Sequence, residues 1–505
     1  MHRPFIKSCL AVIIVAFVQH AFAAEITVNT FTDESDGSCS DGDCSIRDAI
    51  AVASSGDQIS IPAGTYTLSL GQLSISKDLT LTGAGAQQTI IDANDSSRVI
   101  ELPFSGSFST VTIEKMSLIN GSVSGTGRGG GVRSDANLIL RDCVVRDSSG
   151  FNGGGVVADN GSLRIVRCAI QDNQADGNSG GGVIISGADF TLLDSTVTGN
   201  SAFSDFKSGV NSVGGGLAFF SQTNKDVLIR NSSIIDNSAE GSGGGIYISS
   251  FDITNSPVNI SNSVIANNGA SDDCDGLPTT LGFNADSDDS CGFTAATDLA
   301  GIDPKLGSLA LNGAGSNNFL PNADSPLIDA GNPASLNSGD AACTVLDQSG
   351  KLRAGNGRCD IGSMERDGPV PRNLSGTVSG LTGEGLVLQN NGGDDLAISG
   401  NGSFTFATPL GAGDTYSVSV KTQPTAPVME CGVSNSTGTV AGSDINDVQV
   451  TCTLPAEEPT ASETSLPPEV PIPVNERWSL LGLLLCVWLI ALRNTHLRWR
   501  IQGNR

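Results

Sequence analysis

Residues 236–250 read DNSAEGSGGGIYISS, and variants of this phrase recur through the middle of the chain. Three consecutive glycines are costly to order, because glycine loses more backbone freedom on folding than any other residue. A chain that repeats them needs them for geometry. The triplets begin at 129, 153, 180, 214 and 243, intervals of 24 to 34 residues. A period of that size marks a solenoid.

Each triplet is followed by two strand-like runs with a small residue at their junction: Cys143, Cys168, Ser195, Ser232 and Ser263. Five residues earlier stand Leu138, Leu163, Phe190, Val227 and Val258, and three earlier Leu140, Ile165, Leu192, Ile229 and Ile260. Two residues later come Val145, Ile170, Val197, Ile234 and Ile265. A step of two is a strand period with one face turned inward. Several short strands per repeat predict a parallel β-helix with coils stacked about 4.8 Å apart. Helical solenoids are excluded by the missing 3.6-residue period, and no leucine-rich framework is visible.

Five residues after the junction stand Ser148, Asn173, Asn200, Asn237 and Asn268. Stacked amides can hydrogen-bond along such a row; an asparagine row that grips sugars is the functional alternative. Cys143 and Cys168 share one position in successive coils, which predicts Cα atoms about 4.8 Å apart and a disulfide between them. The repeat, Gly-Gly-Gly-[Val/Ile/Leu] followed by a strand pair and Asp-Asn or Gly-Asn, resembles bacterial polymorphic outer-membrane protein repeats. That resemblance implies a right-handed β-helix.

Composition agrees with many short strands. Of 505 residues 63 are Gly and only 5% are aromatic, and the net charge is −26. Such a surface repels phosphate backbones and argues against nucleic-acid partners. Ten cysteines lie between the terminal segments: Cys39, Cys44, Cys143, Cys168, Cys274, Cys291, Cys343, Cys359, Cys431 and Cys452. Taken in order they make five short-range pairs, as suits an oxidising compartment. Zinc is the rival use, but there is no Cys-x-x-Cys and no histidine between the terminal segments.

The ends are targeting segments. Arg3 and Lys7, the apolar run 10–18 and Ala21-Phe22-Ala23 form a signal-peptide pattern over 1–23. At the other end, 454–473 is a Pro/Glu-rich spacer. The apolar run 478–492 follows, trailed by Arg493, Arg498, Arg500 and Arg505. As a helix the run rises only about 22 Å, and the arginines predict a cytoplasmic end. With Ile472, Pro473 and Trp478, the tail at 474–505 resembles IPTL-CTERM sorting tails. The resemblance implies envelope sorting machinery, a membrane contact through a C-terminal transmembrane helix, and a Gram-negative cell surface.

Further resemblances fall inside the chain. Cys44-Ser45-Ile46-Arg47-Asp48-Ala49-Ile50, within residues 24–58, is similar to the CSLREA domain. From the residues alone, Ser45 with Asp48 approximates a capping box, and Ile46, Ala49, Ile50 and Ala53 share a helical face suited to covering the first coil. Nearby Asp33, Glu34, Asp36, Asp41 and Asp43 make a calcium candidate or a solvated acidic turn, without EF-hand spacing; no other cofactor is expected. After the β-helix at 59–300, residues 301–368 contain Ser325-Pro326-Leu327-Ile328-Asp329-Ala330-Gly331 and Asp360-Ile361-Gly362-Ser363-Met364-Glu365. They resemble the choice-of-anchor Q region of bacterial surface proteins. Residues 373–453 alternate apolar and polar positions between Gly/Asn turns, which predicts a small antiparallel β-sandwich; the segment resembles an Ig-like or carboxypeptidase-regulatory-like module of bacterial surface proteins.

The whole is therefore expected to be all-β: a capped parallel β-helix, a sandwich and a C-terminal sorting helix. For function, catalytic candidates are weighed first. Asp272 with Asp273, Asp286 with Asp288 and Asp289, and Asp135 or Asp159 are the acidic clusters that a glycoside hydrolase would draw on. Arg128, Arg133, Arg141, Arg146, Arg164 and Arg167 are the basic cluster a lyase would use, with Arg141, Arg164 and Arg230 near one face of successive coils. None of these makes a specific active site, so the leading expectation is a non-enzymatic adhesion or glycan-contacting surface protein. Its partners would be surface glycans or host and neighbouring cells. A polysaccharide lyase or hydrolase acting on acidic polysaccharide, and a purely structural surface component, are the alternatives.

Overall fold

The computed structural model describes residues 24–455 apart from short internal stretches at 204–211, 222–223, 250–256, 270–271, 314, 354–357, 367–371, 412–413 and 441–442. The expected signal peptide, Ile472, Pro473, Trp478 and the sorting helix lie outside the described residues. Among those residues no helix is long and apolar enough to cross a membrane.

The middle of the chain is a parallel β-helix with three long faces. Sheet A has ten strands running from Glu25–Thr27 to Thr279–Thr280, sheet B nine from Gly64–Thr67 to Ala285–Asp286, and sheet C eight from Leu73–Ser74 to Cys274–Asp275. A small fourth sheet, D, joins Ser149–Asn152, Gln174–Ser179, Ser201–Ala202 and Ser238–Ala239. One coil shows the order: Val156–Ala158 in sheet C, Ser162–Val166 in A, Ala169–Gln171 in B, Gln174–Ser179 in D. The register is the expected one, with Leu138, Leu163, Phe190, Val227 and Val258 opposite one another and Leu140, Ile165, Leu192, Ile229 and Ile260 beside them. Both rows are buried in one continuous core.

Three corners per coil take left-handed backbone. The first precedes the junction residue at Asp142, Arg167, Asp194, Asn231 and Asn262. The second precedes the amide row at Asp147, Asp172, Gly199, Asp236 and Asn267. The third is the leading glycine of each triplet, with φ of +67° at Gly180. The triplet 180–182 shows why glycine is repeated. A Cβ on Gly181 would lie 2.5 Å from the Ser201 nitrogen, and one on Gly182 would lie 2.6 Å from the Gly216 oxygen and 3.0 Å from the Asn200 side chain. The first glycine supplies a left-handed turn, and the other two supply close approach between coils and to the amide row.

That row is a continuous ladder. Asn200 Oδ1 accepts from the Asn173 N–H (3.1 Å) and side-chain amide (3.0 Å), and Asn237 Oδ1 accepts the same pair from Asn200 (3.1 and 2.9 Å). Asn268 repeats the pattern for Asn237, and Asp273 closes the row by accepting both donors of Asn268. Each amide also donates to a carbonyl of the coil before it, as Asn200 does to Ile170 O. Four buried polar side chains are thereby fully engaged, which is the condition for placing them in a core.

The junction residues form a second ladder, and here one expectation is corrected. Cys143 and Cys168 stand in register as expected, but they are free buried thiols rather than a disulfide. The Cys143 N–H donates to Cys168 Sγ (3.3 Å), that of Cys168 to Ser195 Oγ (3.0 Å), and that of Ser232 to Ser263 Oγ (3.1 Å). Each thiol or hydroxyl turns back to a carbonyl two residues earlier, as Ser195 does to Leu193 O (2.7 Å) and Cys168 to Val166 O (3.3 Å). The rotamer that serves the ladder is occupied with hydrogen bonds. The other four pairs are disulfides: Cys39 with Cys44, Cys274 with Cys291, Cys343 with Cys359, and Cys431 with Cys452.

The N-terminal end is closed by the helix Ile46–Val52, whose buried Ile46, Ala49 and Ile50 join the core. Ser45 is its N-cap and accepts the Asp48 N–H (3.0 Å). The described residues of 301–366 form no regular strand and fold back over the outer face of sheet B, where Phe319, Leu327 and Ile361 pack on Ile235, Val264, Ala266 and Ala285. Beyond them stand two four-stranded sheets with a shared apolar core. The expected antiparallel pattern is modified in one place, since Leu374–Ser379 and Ile445–Thr453 pair in parallel.

Candidate functional site

Three of the seven carboxylates that sequence singled out for chemistry, Asp273, Asp286 and Asp288, are engaged by the backbone. Asp273 Oδ2 accepts the Ser287 N–H (3.0 Å) while its Oδ1 ends the amide ladder. Asp286 accepts the Cys291 and Gly301 N–H groups (3.1 and 2.9 Å), and Asp288 accepts those of Asp273 and Ser290 (2.9 and 3.0 Å). Asp272 and Asp289 are exposed. Asp360 holds the fold-back segment together by accepting the Asp329 and Arg366 N–H groups (both 2.8 Å). In the N-terminal acidic turn, Asp33 is taken by Arg47 (3.0 Å) and by the Ser69 and Leu70 N–H groups (both 2.7 Å). Among the described residues no group of three or more potential ligands is placed to hold a metal ion.

The basic residues are spread over the three faces, with Arg146 on sheet B. On sheet C, Arg133 bridges Glu101 (3.2 Å), Asp135 (2.8 Å) and Asp159 (3.0 Å), and Arg128 also pairs with Asp159. This absorbs Asp135 and Asp159 in a closed charge network. Arg146 pairs with its neighbour Asp147. On sheet A the outcome differs.

There an open cleft of about 430 Å³ is lined by Arg164, Arg167, Asp194, Arg230, Asn337 and Asp340, with residues 407–409 on one side. Arg164 lies on the outer face of Ser162–Val166 beside Ile139 and Thr191 of the adjoining strands. Arg230 ends Val227–Arg230, in line with Leu193. Arg141 sits one strand before Arg164 and pairs with Glu114 (3.2 Å). Arg167 pairs with Asp142 (2.7 Å). Arg230 is held by neutral acceptors only, Gly339 O (2.8 Å) and Asn337 Oδ1 (3.3 Å), and its Nε is buried without a hydrogen-bond partner. Arg164 has no ion pair or hydrogen bond among the described residues. Desolvation holds the proton affinity of both guanidiniums below its usual value. Arg141 adds to this at Arg164, and Arg164 and Arg353 add to it at Arg230.

The back wall of the cleft is a buried charge cluster. Arg353, fully enclosed, reaches Asp194 (3.0 Å) and Glu365 (3.6 Å), and also donates to Ser363 O (2.8 Å). Thr344 Oγ1 donates to Asp194. Burial raises the Asp194 carboxyl to about 6 even though Arg353 opposes the shift. The cluster ties the fold-back segment to the first corner of the coils, so its role is positional. Sequence reasoning passed over Arg353, Asn337 and Asp340. Their signal was weak, since a lone Arg in a loop 159 residues from its partner has no local pattern.

No protein-family profile matches the chain, and no curated protein matches it. Among solved structures, the crystal structure of pectate lyase Pel9A aligns with a TM-score of 0.33 at 14% identity, over 68% of this chain and 97% of that one. The A-module of Azotobacter vinelandii mannuronan C-5 epimerase AlgE4 aligns with a TM-score of 0.26 at 19% identity, over 48% of this chain and 82% of that one. The parallel β-helix assignment stands on the strand register itself.

Proposed function

We propose that this protein is an exported, envelope-associated β-helix that contacts glycans through its sheet A face without cleaving them. The carrying observation is a contrast in engagement. The carboxylates nominated for hydrolysis at Asp273, Asp286 and Asp288 spend their oxygens on backbone N–H groups, while the arginine cleft keeps donors free. Glycoside hydrolysis needs two carboxyl groups facing one bond; contact needs only unspent donors on an open surface. Export is supported by the signal-peptide pattern and by four disulfides. Envelope association is supported by the CSLREA-like segment, the choice-of-anchor Q-like segment and the IPTL-CTERM-like tail.

The test is incubation of the full chain with uronate-rich polysaccharides, with and without calcium, reading retention and chain length together. Retention with unchanged polymer length is the expected result. A second reading, a lyase with Arg164 as base, is favoured by the desolvation of that guanidinium. It predicts a growing ultraviolet absorbance from the unsaturated product, lost in Arg164→Gln. Normal cell attachment after gene deletion, with no glycan retained, would leave the purely structural role.

A further inference from the structure

We infer that the Arg164–Arg230 cleft is a carboxylate subsite, so that the glycans in contact with this protein are uronate-bearing; this rests on the contact reading above. Three features of the cleft point the same way. First, Arg141 and Arg167 have carboxylate partners, whereas Arg164 and Arg230 have none among the described residues. A guanidinium offers a fork of N–H groups that suits a carboxylate, and the fork of Arg164 is entirely unspent. Second, part of the Arg230 donor set is enclosed without an acceptor. A buried N–H without a partner is unfavourable, and an anion in the cleft beside that guanidinium offsets part of the cost through its charge.

Third, the arrangement has a direction. Arg141, Arg164 and Arg230 stand on strands Asn137–Arg141, Ser162–Val166 and Val227–Arg230, which follow one another along the stack of sheet A with only Asp189–Leu193 between the last two. Adjacent strands are about 4.8 Å apart, so Arg164 and Arg230 are separated by roughly 10 Å along the axis. Arg141 and Arg230 share one register row and Arg164 stands two residues before it on the same face, so a linear chain crossing the strands obliquely passes from one cation to the next. Asn337 and Thr408 at the margin add neutral hydrogen-bonding groups of the kind that sugar hydroxyls use. Desolvation disfavours both charges in the empty cleft, Arg141 adds to this at Arg164, and Arg164 and Arg353 add to it at Arg230, with Asp194 and Asp340 offsetting it only in part; a bound carboxylate supplies further opposing charge that compensates it.

The net charge of −26 limits what can bind. It weakens any long-range pull on a polyanion, and attraction to the cleft is confined to about 8 Å at physiological salt, so that a uronate-rich chain is held by local contact. A few carboxylates on a short stretch of polysaccharide satisfy that limit, and a nucleic acid does not.

The test compares a short oligouronate with its methyl ester by calorimetry on the full chain. The ester keeps every sugar hydroxyl and removes only the charge. The acid form is expected to bind about tenfold more tightly than the ester, and Arg164→Gln to abolish that difference. Because the Arg164 side chain makes no internal bond, the variant should fold as the parent, which unchanged circular dichroism checks. Equal binding of acid and ester overturns the carboxylate inference and leaves the contact reading intact. Retention of neither form, nor of any other polysaccharide tried, overturns the contact reading. Displacement of the oligomer by an equal concentration of inorganic sulfate would mean a general anion hole and would overturn the uronate assignment.

Discussion

The amide ladder and the arginine cleft both draw polar side chains from successive coils, and they differ in what their donors meet. Inside, Asn173, Asn200, Asn237 and Asn268 hand each amide proton to the next rung, and Asp273 terminates the series. Outside, Arg164 hands its protons to nothing in the described chain and Arg230 leaves one enclosed. A row whose bonds close on themselves is architecture. A row left open has capacity for a ligand. Residue type does not separate the two cases, since sequence offered the asparagine row as a candidate for gripping sugars and the arginines as the basic cluster of a lyase.

The contrast makes stability and binding separable by mutation. The largest stability loss is expected behind the cleft, where Arg353→Met removes the cation shared by the buried Asp194 and Glu365. Loss of a partner in such a cluster costs about 3–5 kcal/mol, read as a lowered denaturation midpoint. Next is Asn200→Leu, which removes the acceptor of two buried donors of Asn173. About 3 kcal/mol is expected, and an unchanged midpoint would show that the ladder carries no stability.

The pH profile probes the same buried cluster. The Asp194 carboxyl is raised from 3.8 to about 6 in the folded protein. The native state therefore binds this proton more tightly than the unfolded chain, and the contribution of Asp194 to stability falls as pH rises from about 4 through about 6. Denaturation midpoints of the parent against Asp194→Asn across that window should show this downward slope in the parent alone. A slope of opposite sign would mean that Arg353 outweighs burial.

Smaller effects are expected at the thiol rungs. Since Ser195, Ser232 and Ser263 already serve the second ladder, the double change Cys143→Ser with Cys168→Ser should alter stability by less than about 1.5 kcal/mol. Alkylation after unfolding of the parent, without reductant, should label both thiols. Protection of both until reduction would restore the disulfide expected from register. Smallest of all is Arg164→Gln, within about 0.5 kcal/mol. Unlike the ladder variants, it should be visible only in ligand binding.

Much of the fold was legible because a solenoid repeats its environment. The apolar positions at Leu138, Leu140 and Val145 recur in every coil, so a strand period is sampled several times and the register follows. The capping helix was legible from Ser45 and its apolar face. The thiols were misread because register brings Cys143 and Cys168 together without saying where their sulfurs point. The site was legible only in part. Arg141, Arg164 and Arg230 could be placed near one face, but the fold-back segment that lines the cleft with Asn337 and Asp340 has no repeat to betray its path.

For the stretch DNSAEGSGGGIYISS, sequence alone determined a coil corner: Asn237 in the amide row, glycines at the turn, and Ile246 and Ile248 facing the core. Such features depend on local periodicity and backbone freedom, which sequence carries directly. Only the tertiary structure decided which polar groups are spent. Pairing depends on which distant segments meet, as Arg353 meets Asp194 while no carboxylate among the described residues forms an ion pair with Arg164.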